Sequence, residues 1–389
     1  MNNEALFAKT PPTKLFFKAA IPGAIGMLAS ALFQLLEGIF VGQYLGDTAF
    51  SALNLAMPFV IINFALADLI GAGSSVPISI RLGQKRGEEA NQIFTCACLL
   101  ILGSGVVFGG LMYALSPALI HWMGAEGEYA ALAVQYLQVY ALCSPVTTII
   151  FAVDNYLRIC GRPRYSMVVT VITSLLNVVL DYLFLGVFGW GIAAAALASC
   201  LCLTLGTVLN YVPFLRGKLP LRFVRGGISL RLLGNIFYNG SSEFFSNIAG
   251  SVLMVVLNGV LLRMGGSAAV AAFSIVLYVD SVANSLLFGM SDSLQGAVSY
   301  CCGAGLRQRI FALEKRVFLV GALVAALAKR LRARHLAWVL TGVGLCLAPC
   351  GLVFLVPASA LARYAVLVLL FCACQIGGSV FSTYAVTAI

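Results

Sequence analysis

The chain has 389 residues, 61% of them hydrophobic and only 10% charged, with a mean hydropathy of +0.99 and a formal net charge of +10. This composition excludes a water-soluble globular domain. The basic residues lie almost entirely in turns between apolar runs, so orientation in a membrane explains the charge better than nucleic-acid binding does.

Apolar runs of about 20 residues are long enough to cross a bilayer as helices, whereas membrane strands would show about 10 residues of alternation. The predicted fold is therefore all-α and polytopic. Spans are expected at about 18–43, 51–80, 92–115, 130–153, 165–188, 191–213, 233–262, 268–300, 336–357 and 363–388. The first run follows Lys9, Lys14 and Lys18, has no small-residue cleavage site and leads straight into more spans, so it reads as a retained first helix.

Lys and Arg cluster in every second loop: at Arg81, Lys85 and Arg86, at Arg158, Arg162 and Arg164, from Arg216 to Arg231, and from Arg307 to Arg316. The turns "GQYLGD", "HWMGAEGEY" and "GVFGW" carry none. This alternation predicts that the N-terminus and the basic loops face the cytoplasm. The expected location is the cell inner (plasma) membrane, with the lipid bilayer as the first partner.

The segment "VGQYLGDTAFSALNLAMPFV…LIGAGSSVPISIRLGQKRGEEANQI" is echoed about 219 residues later by "LLRMGGSAAVAAFSIVLYVD…LLFGMSDSLQGAVSYCCGAGLRQRI". Six spans per repeat is an even number, so both halves enter from the same side and relate by a pseudo-two-fold axis along the membrane normal. The expected organisation is a six-helix bundle over 1–215, a linker over 216–230 and a second bundle over 231–389. This second bundle is read as partial, with about four spans and a basic run, "AKRLRARH", where the repeat predicts mid-helix.

Ionised side chains at bilayer depth are costly, so acids within spans are candidates for a transport or proton path. They are Glu37, Asp68, Asp154, Asp181, Glu243, Asp280 and Asp292. Glu37 follows Lys18, and Asp181 follows Arg164, by enough residues to put both about 25 to 30 Å above the basic surface. Thr170, Ser174, Asn177 and Asp181 recur at helical spacing and form one polar stripe that can face a cavity or hydrogen-bond between helices. A buried carboxylate resists ionisation and a close pair resists it further. Glu37 with Asp181 can thus hold a proton, or a sodium ion with help from Asn177 and Ser199.

In the second half, Glu243 with Asn247 and Asp280 with Asn284 are i, i+4 pairs that can line the opposing wall of a cavity. Asp154 precedes Arg158 by one turn, so a local ion pair competes with any cavity role. No zinc or haem site is expected from two His and no CxxC among twelve Cys, no cofactor is expected, and the glycines of "GSGVVFGG" from Gly103 fit helix packing rather than a phosphate loop. No nucleophile arrangement of an enzyme is evident, and no nucleotide-binding module is present to drive transport.

"TPPTKLFFKAAIPGAIGMLASALFQLLEGIFVGQYLG", "LRICGRPRYSM…LLNVVLDYLFL…GWGIAAAALAS", "GGSAAVAAFSIVLYV" and "SYCCGAG" resemble the multidrug and toxin extrusion (MATE) family of secondary transporters over most of residues 9–315. The resemblance implies two six-helix bundles and export of small amphipathic, often cationic compounds against inward proton or sodium flow. It implies Glu37, Asn177, Asp181 and Ser199 as the ion-coupling set. Tyr136 and Asp154 would lie nearby, with Glu243 as the acid of the second bundle. The family usually carries Asp where this chain has Glu37. Rival readings are a lipid-linked oligosaccharide flippase of the same architecture, which would need a basic cavity, and a non-transporting remnant.

Overall fold

The computed structural model describes residues 4–217, 219–224, 232–241, 243–245, 247–248, 285 and 288–320. After a short π-helical turn at Glu4–Lys9 come six helices: α1 (Pro12–Gly83), α2 (Gly87–Trp122), α3 (Gly127–Thr147), α4 (Ile149–Ile159), α5 (Pro163–Asp181) and α6 (Ile192–Leu215). No strand occurs among the described residues, in keeping with the all-α reading.

At 72 residues α1 would be about 108 Å long if straight, several times the thickness of a bilayer. Gly46 divides it. With φ +84° and ψ 177° this residue takes a backbone conformation open to glycine but not to side-chain-bearing residues, and the chain reverses there. The two halves of α1 correspond to the expected first and second spans. The fourth predicted span is α3 followed by α4, which part at Thr148, close after Pro145, a residue that lacks a backbone donor. The fifth is α5 plus a π-helical turn, Tyr182–Val187.

Apolar and polar residues are arranged inside out. Leu99, Leu102, Val106, Val107 and Leu111 are exposed along α2, while Glu37, Asn63, Ser144, Asn177, Asp181 and Ser199 are buried. A lipid solvent produces this pattern, because tails wet leucine freely but cannot satisfy a polar group. Trp122 and Trp190 stand exposed at the turns without Lys or Arg, where amphipathic rings favour a membrane interface. Of the "GSGVVFGG" glycines, Gly105 and Gly109 lie against α3, where a Cβ would come within 2.8 Å of Pro145 and 2.6 Å of the Ala141 carbonyl; Gly103 and Gly110 face open space.

The linker is partly docked. Leu219 and Leu221 are buried with Phe94 and Phe214, and the backbone N–H groups of Arg222 and Val224 donate to Asn91 Oδ1 (2.9 Å) and Thr95 Oγ1 (3.1 Å) on α2. Beyond it, described residues within 232–248, 288–303 and 307–320 are helical. They meet the first bundle along a seam near the basic turns.

Three reciprocal glycine contacts make that seam. A Cβ on Gly23 would sit 2.1 Å from the Gly289 carbonyl, and one on Gly289 would sit 2.4 Å from the Gly23 carbonyl. Gly73 meets the Ile236 carbonyl and Gly240, while Gly240 meets the Leu69 carbonyl. Gly83 meets the Tyr300 carbonyl at 2.3 Å, and Gly303 meets the Ile80 carbonyl at 2.1 Å. Gly83 and Gly303 are 220 residues apart, as are Ile80 and Tyr300, which matches the offset of the sequence repeat. This contact thus joins repeat-equivalent positions, and the pseudo-two-fold axis runs through it. Ser79 Oγ adds a hydrogen bond to the Gly296 carbonyl at 2.8 Å.

The expected spans over 249–284 and beyond 320, the "AKRLRARH" run and Asp280 with Asn284 lie outside the described residues.

Candidate functional site

The first bundle gathers its polar residues from α1, α3, α5 and α6. Glu37 is 4% exposed and Asp181 0%, and each carboxylate lies in the other's field. The Tyr136 hydroxyl, fully buried on α3, donates to Glu37 Oε1 at 2.9 Å, and Ser199 also reaches Glu37. Of the expected stripe, Ser174, Asn177 and Asp181 are buried on α5, while Thr170 is only half-buried.

Asn177 links the two acids' neighbourhoods. With its amide oxygen turned toward Ser199, it accepts from the Ser199 hydroxyl (3.0 Å) and backbone N–H (3.2 Å), and its nitrogen donates to Asp181 Oδ2 at 3.1 Å. The i, i+4 spacing of Asn177 and Asp181 makes that last bond possible within one helix. Asp181 Oδ1 is buried with no hydrogen-bond partner among the described residues. A buried carboxylate oxygen left so is ready to accept a proton or a cation. The helix widens into its π turn immediately after Asp181, a local distortion frequent at functional positions.

Tyr140 is a member of this group that the sequence reading missed, and its one-turn spacing from Tyr136 is a signal only once Tyr136 is placed. It follows Tyr136 by one helical turn, is buried, packs its ring at a tilt 5.2 Å from that of Tyr136 and reaches Ser199. One turn further along α3, Ser144 exchanges hydrogen bonds with Asn63 at 2.9 and 3.1 Å, tying α3 to the second half of α1.

The remaining sequence candidates lie elsewhere. Asp154 is held locally: Arg158 pairs with its Oδ2 at 2.6 Å and the Ser166 hydroxyl donates to its Oδ1. It stands near the basic turns and not beside Glu37 and Asp181. Glu243 and Asn247 are half-buried on the second bundle. Glu243 shares the electrostatic surroundings of Asp68, Asp292, Asp154 and Arg158, so it too belongs to the seam. Among the described residues no cluster of His, Cys, Asp and Glu is built to hold a metal ion, and the cysteines there are all free thiols.

Helices that are apolar outside and carry a buried acid pair inside are those of a multi-pass membrane protein. The MatE family profile matches residues 22–183. The multidrug export protein MepA of Staphylococcus saprophyticus is 27% identical over 309 residues, covering 77% of this chain and 67% of that protein. The fold superposes on the crystal structure of a MATE protein in complex with MaL6 at a TM-score of 0.84, with 23% identity, 99% of this chain covered and 85% of the other. It also superposes on the outward-facing conformation of a multidrug resistance MATE family transporter of the MOP superfamily at 0.81, with 24% identity and coverage of 87% and 76%. Over residues 22–183 the chain is thus similar to the multidrug and toxin extrusion family, and its fold is the one those solved structures share.

Proposed function

We propose that the protein is a secondary antiporter of the cell inner membrane, with its N-terminus in the cytoplasm, exporting small amphipathic or cationic compounds in exchange for protons or sodium. Residues 1–215 and 231–389 are read as its two bundles and 216–230 as the cytoplasmic linker. The observation that carries this reading is the buried acid pair, with Asp181 Oδ1 unsatisfied, Tyr136 donating to Glu37 Oε1, Asn177 donating to Asp181 Oδ2 and Ser199 orienting Asn177.

With one carboxyl of the pair staying protonated, binding of one monovalent ion neutralises the single remaining charge and replaces a cationic substrate in the same cavity. Release of that ion on the cytoplasmic side restores the charge that attracts the next substrate. Exchange of one proton for one monovalent cation moves no net charge, so the pH difference alone drives it, at about 1.4 kcal/mol per unit. The glycine seam near the basic turns supports a state closed toward the cytoplasm, and alternating access follows from opening it. The export names of the MepA relatives support multidrug efflux as the direction.

The test is ethidium efflux into everted vesicles under an imposed proton or sodium gradient. Asp181→Asn is expected to abolish gradient-dependent efflux while leaving the protein in the membrane. Full coupled efflux by that variant would overturn the assignment.

A further inference from the structure

The segment ahead of α1 does not hang free. Leu6 and Phe7 are each 3% exposed, in one apolar cluster with Leu15 and Phe16 of α1 and with Leu294, Ala297, Val298, Tyr300 and Leu313 of the second bundle. The Phe7 ring lies 5.3 Å from the ring of Tyr300, and Cys301 Sγ donates to the Phe7 carbonyl at 3.8 Å.

Two arginines of the helix over 307–320 hold the same segment by polar contacts. Arg309 donates to the Thr10 carbonyl, and Arg316 donates to Thr13 Oγ1 at 3.0 Å from Nε and 2.8 Å from its terminal nitrogen. Both arginines, like Tyr300 and Cys301, are in the second bundle, while the segment itself continues into the first span of the first bundle. Tyr300 also supplies the carbonyl against which Gly83 rests. The segment therefore crosses the seam at its axis, on the side of the basic turns.

We propose that residues Glu4–Thr13 form a strap that clamps the two bundles together at the seam, so that the bundles part on this side only when the strap is released. The glycine contacts alone set how closely the backbones approach; they provide no covalent tie and few polar bonds. The strap adds buried aromatic area and charge-assisted hydrogen bonds from one bundle to a chain segment anchored in the other. Weakening it removes stabilisation from the closed state alone, and the population shifts toward the state open at the basic turns by that difference. The consequence for transport rests on the alternating-access reading; the clamp itself does not.

The experiment measures seam closure directly. Ser75 and Gln295 face each other across the seam, Oγ to Oε1 at 3.5 Å. Ser75→Cys with Gln295→Cys is oxidised in membranes, and bridging is read after cleavage at a protease site inserted behind Val224, with each single cysteine variant as a control for native thiols. Deletion of residues 2–9 is expected to slow bridging about tenfold. Arg316→Gln and Thr13→Val keep the full chain and are expected to slow it by less, which separates strap release from misfolding of the deletion. Bridging at the unmodified rate in all three variants would overturn the proposal. Because bridging is read without any gradient, loss of ion coupling in the Asp181→Asn efflux assay leaves this result untouched, and the reverse holds too.

Discussion

The Tyr136 hydroxyl donates directly to Glu37 Oε1, and it approaches from a different helix. A hydrogen bond to a charged acceptor contributes roughly 1.5 to 3 kcal/mol. Tyr136→Phe removes it without changing the ring, so the ion concentration for half-maximal efflux is expected to move about tenfold or more while the protein still assembles; an unchanged ion dependence would remove Tyr136 from the coupling set. Asp154 gives a contrasting expectation. Its side chain is 17% and that of Arg158 10% exposed, and removing one partner of a buried pair costs about 3 to 5 kcal/mol because the other charge is stranded. Asp154→Ala should therefore lower thermal stability in detergent markedly, whereas a fully stable but inactive variant would indicate direct work on substrate. The first carboxylate pair was legible from residue counts alone, since Glu37 and Asp181 lie at matching distances from basic anchors. Tyr136 was reachable only through the family resemblance, because a buried tyrosine in an apolar helix gives no sign of its partner. The Asp154–Arg158 pair could be anticipated from i, i+4 spacing, but Ser166 as its third member depends on how α4 and α5 meet.

At the level of elements, the spans of the first bundle were readable because each is a long apolar run between turns of distinct charge. What the sequence left open was continuity. A glycine in "GQYLGD" marks a turn, yet the helical geometry resumes immediately on both sides, so the first two spans form one interrupted helix. The docking of the linker on α2 was equally hidden, because it uses backbone N–H groups that nearly every residue possesses. Asn91 and Thr95 receive those bonds. Asn91→Ala combined with Thr95→Val is expected to loosen the 219–224 segment, seen as faster proteolysis there, at a cost of about 0.5 to 1.5 kcal/mol per bond. Unaltered protection would mean that burial of Leu219 and Leu221 alone holds the segment.

For the molecule as a whole, the repeat offset foretold a pseudo-two-fold axis, and the Gly83–Gly303 contact locates it. Glycine is an ambiguous sign in a membrane sequence, serving turns, lipid-facing positions and close packing alike, so the three seam pairs could not be singled out beforehand. Their importance comes from what a side chain would strike, which is backbone of the facing helix, joined at Gly23 by the Ser293 side chain. Gly83→Leu or Gly303→Leu is expected to hold the seam apart and slow efflux at least tenfold, while Gly110→Leu, at a position with nothing within 4 Å, should be silent. Equal effects at all three positions would argue against the seam as a gate. Its acids, Asp68, Glu243 and Asp292 around Arg158, lie across the same junction.

The central claim is that substrate and ion compete for one buried acid pair, and purified protein can report it without a gradient. Addition of a cationic substrate to the detergent-solubilised protein should release about one monovalent ion per protein, detected as proton release in weak buffer or as displaced radioactive sodium, and Asp181→Asn should release none. Equal ion release from the unmodified protein and from Asp181→Asn would contradict the account.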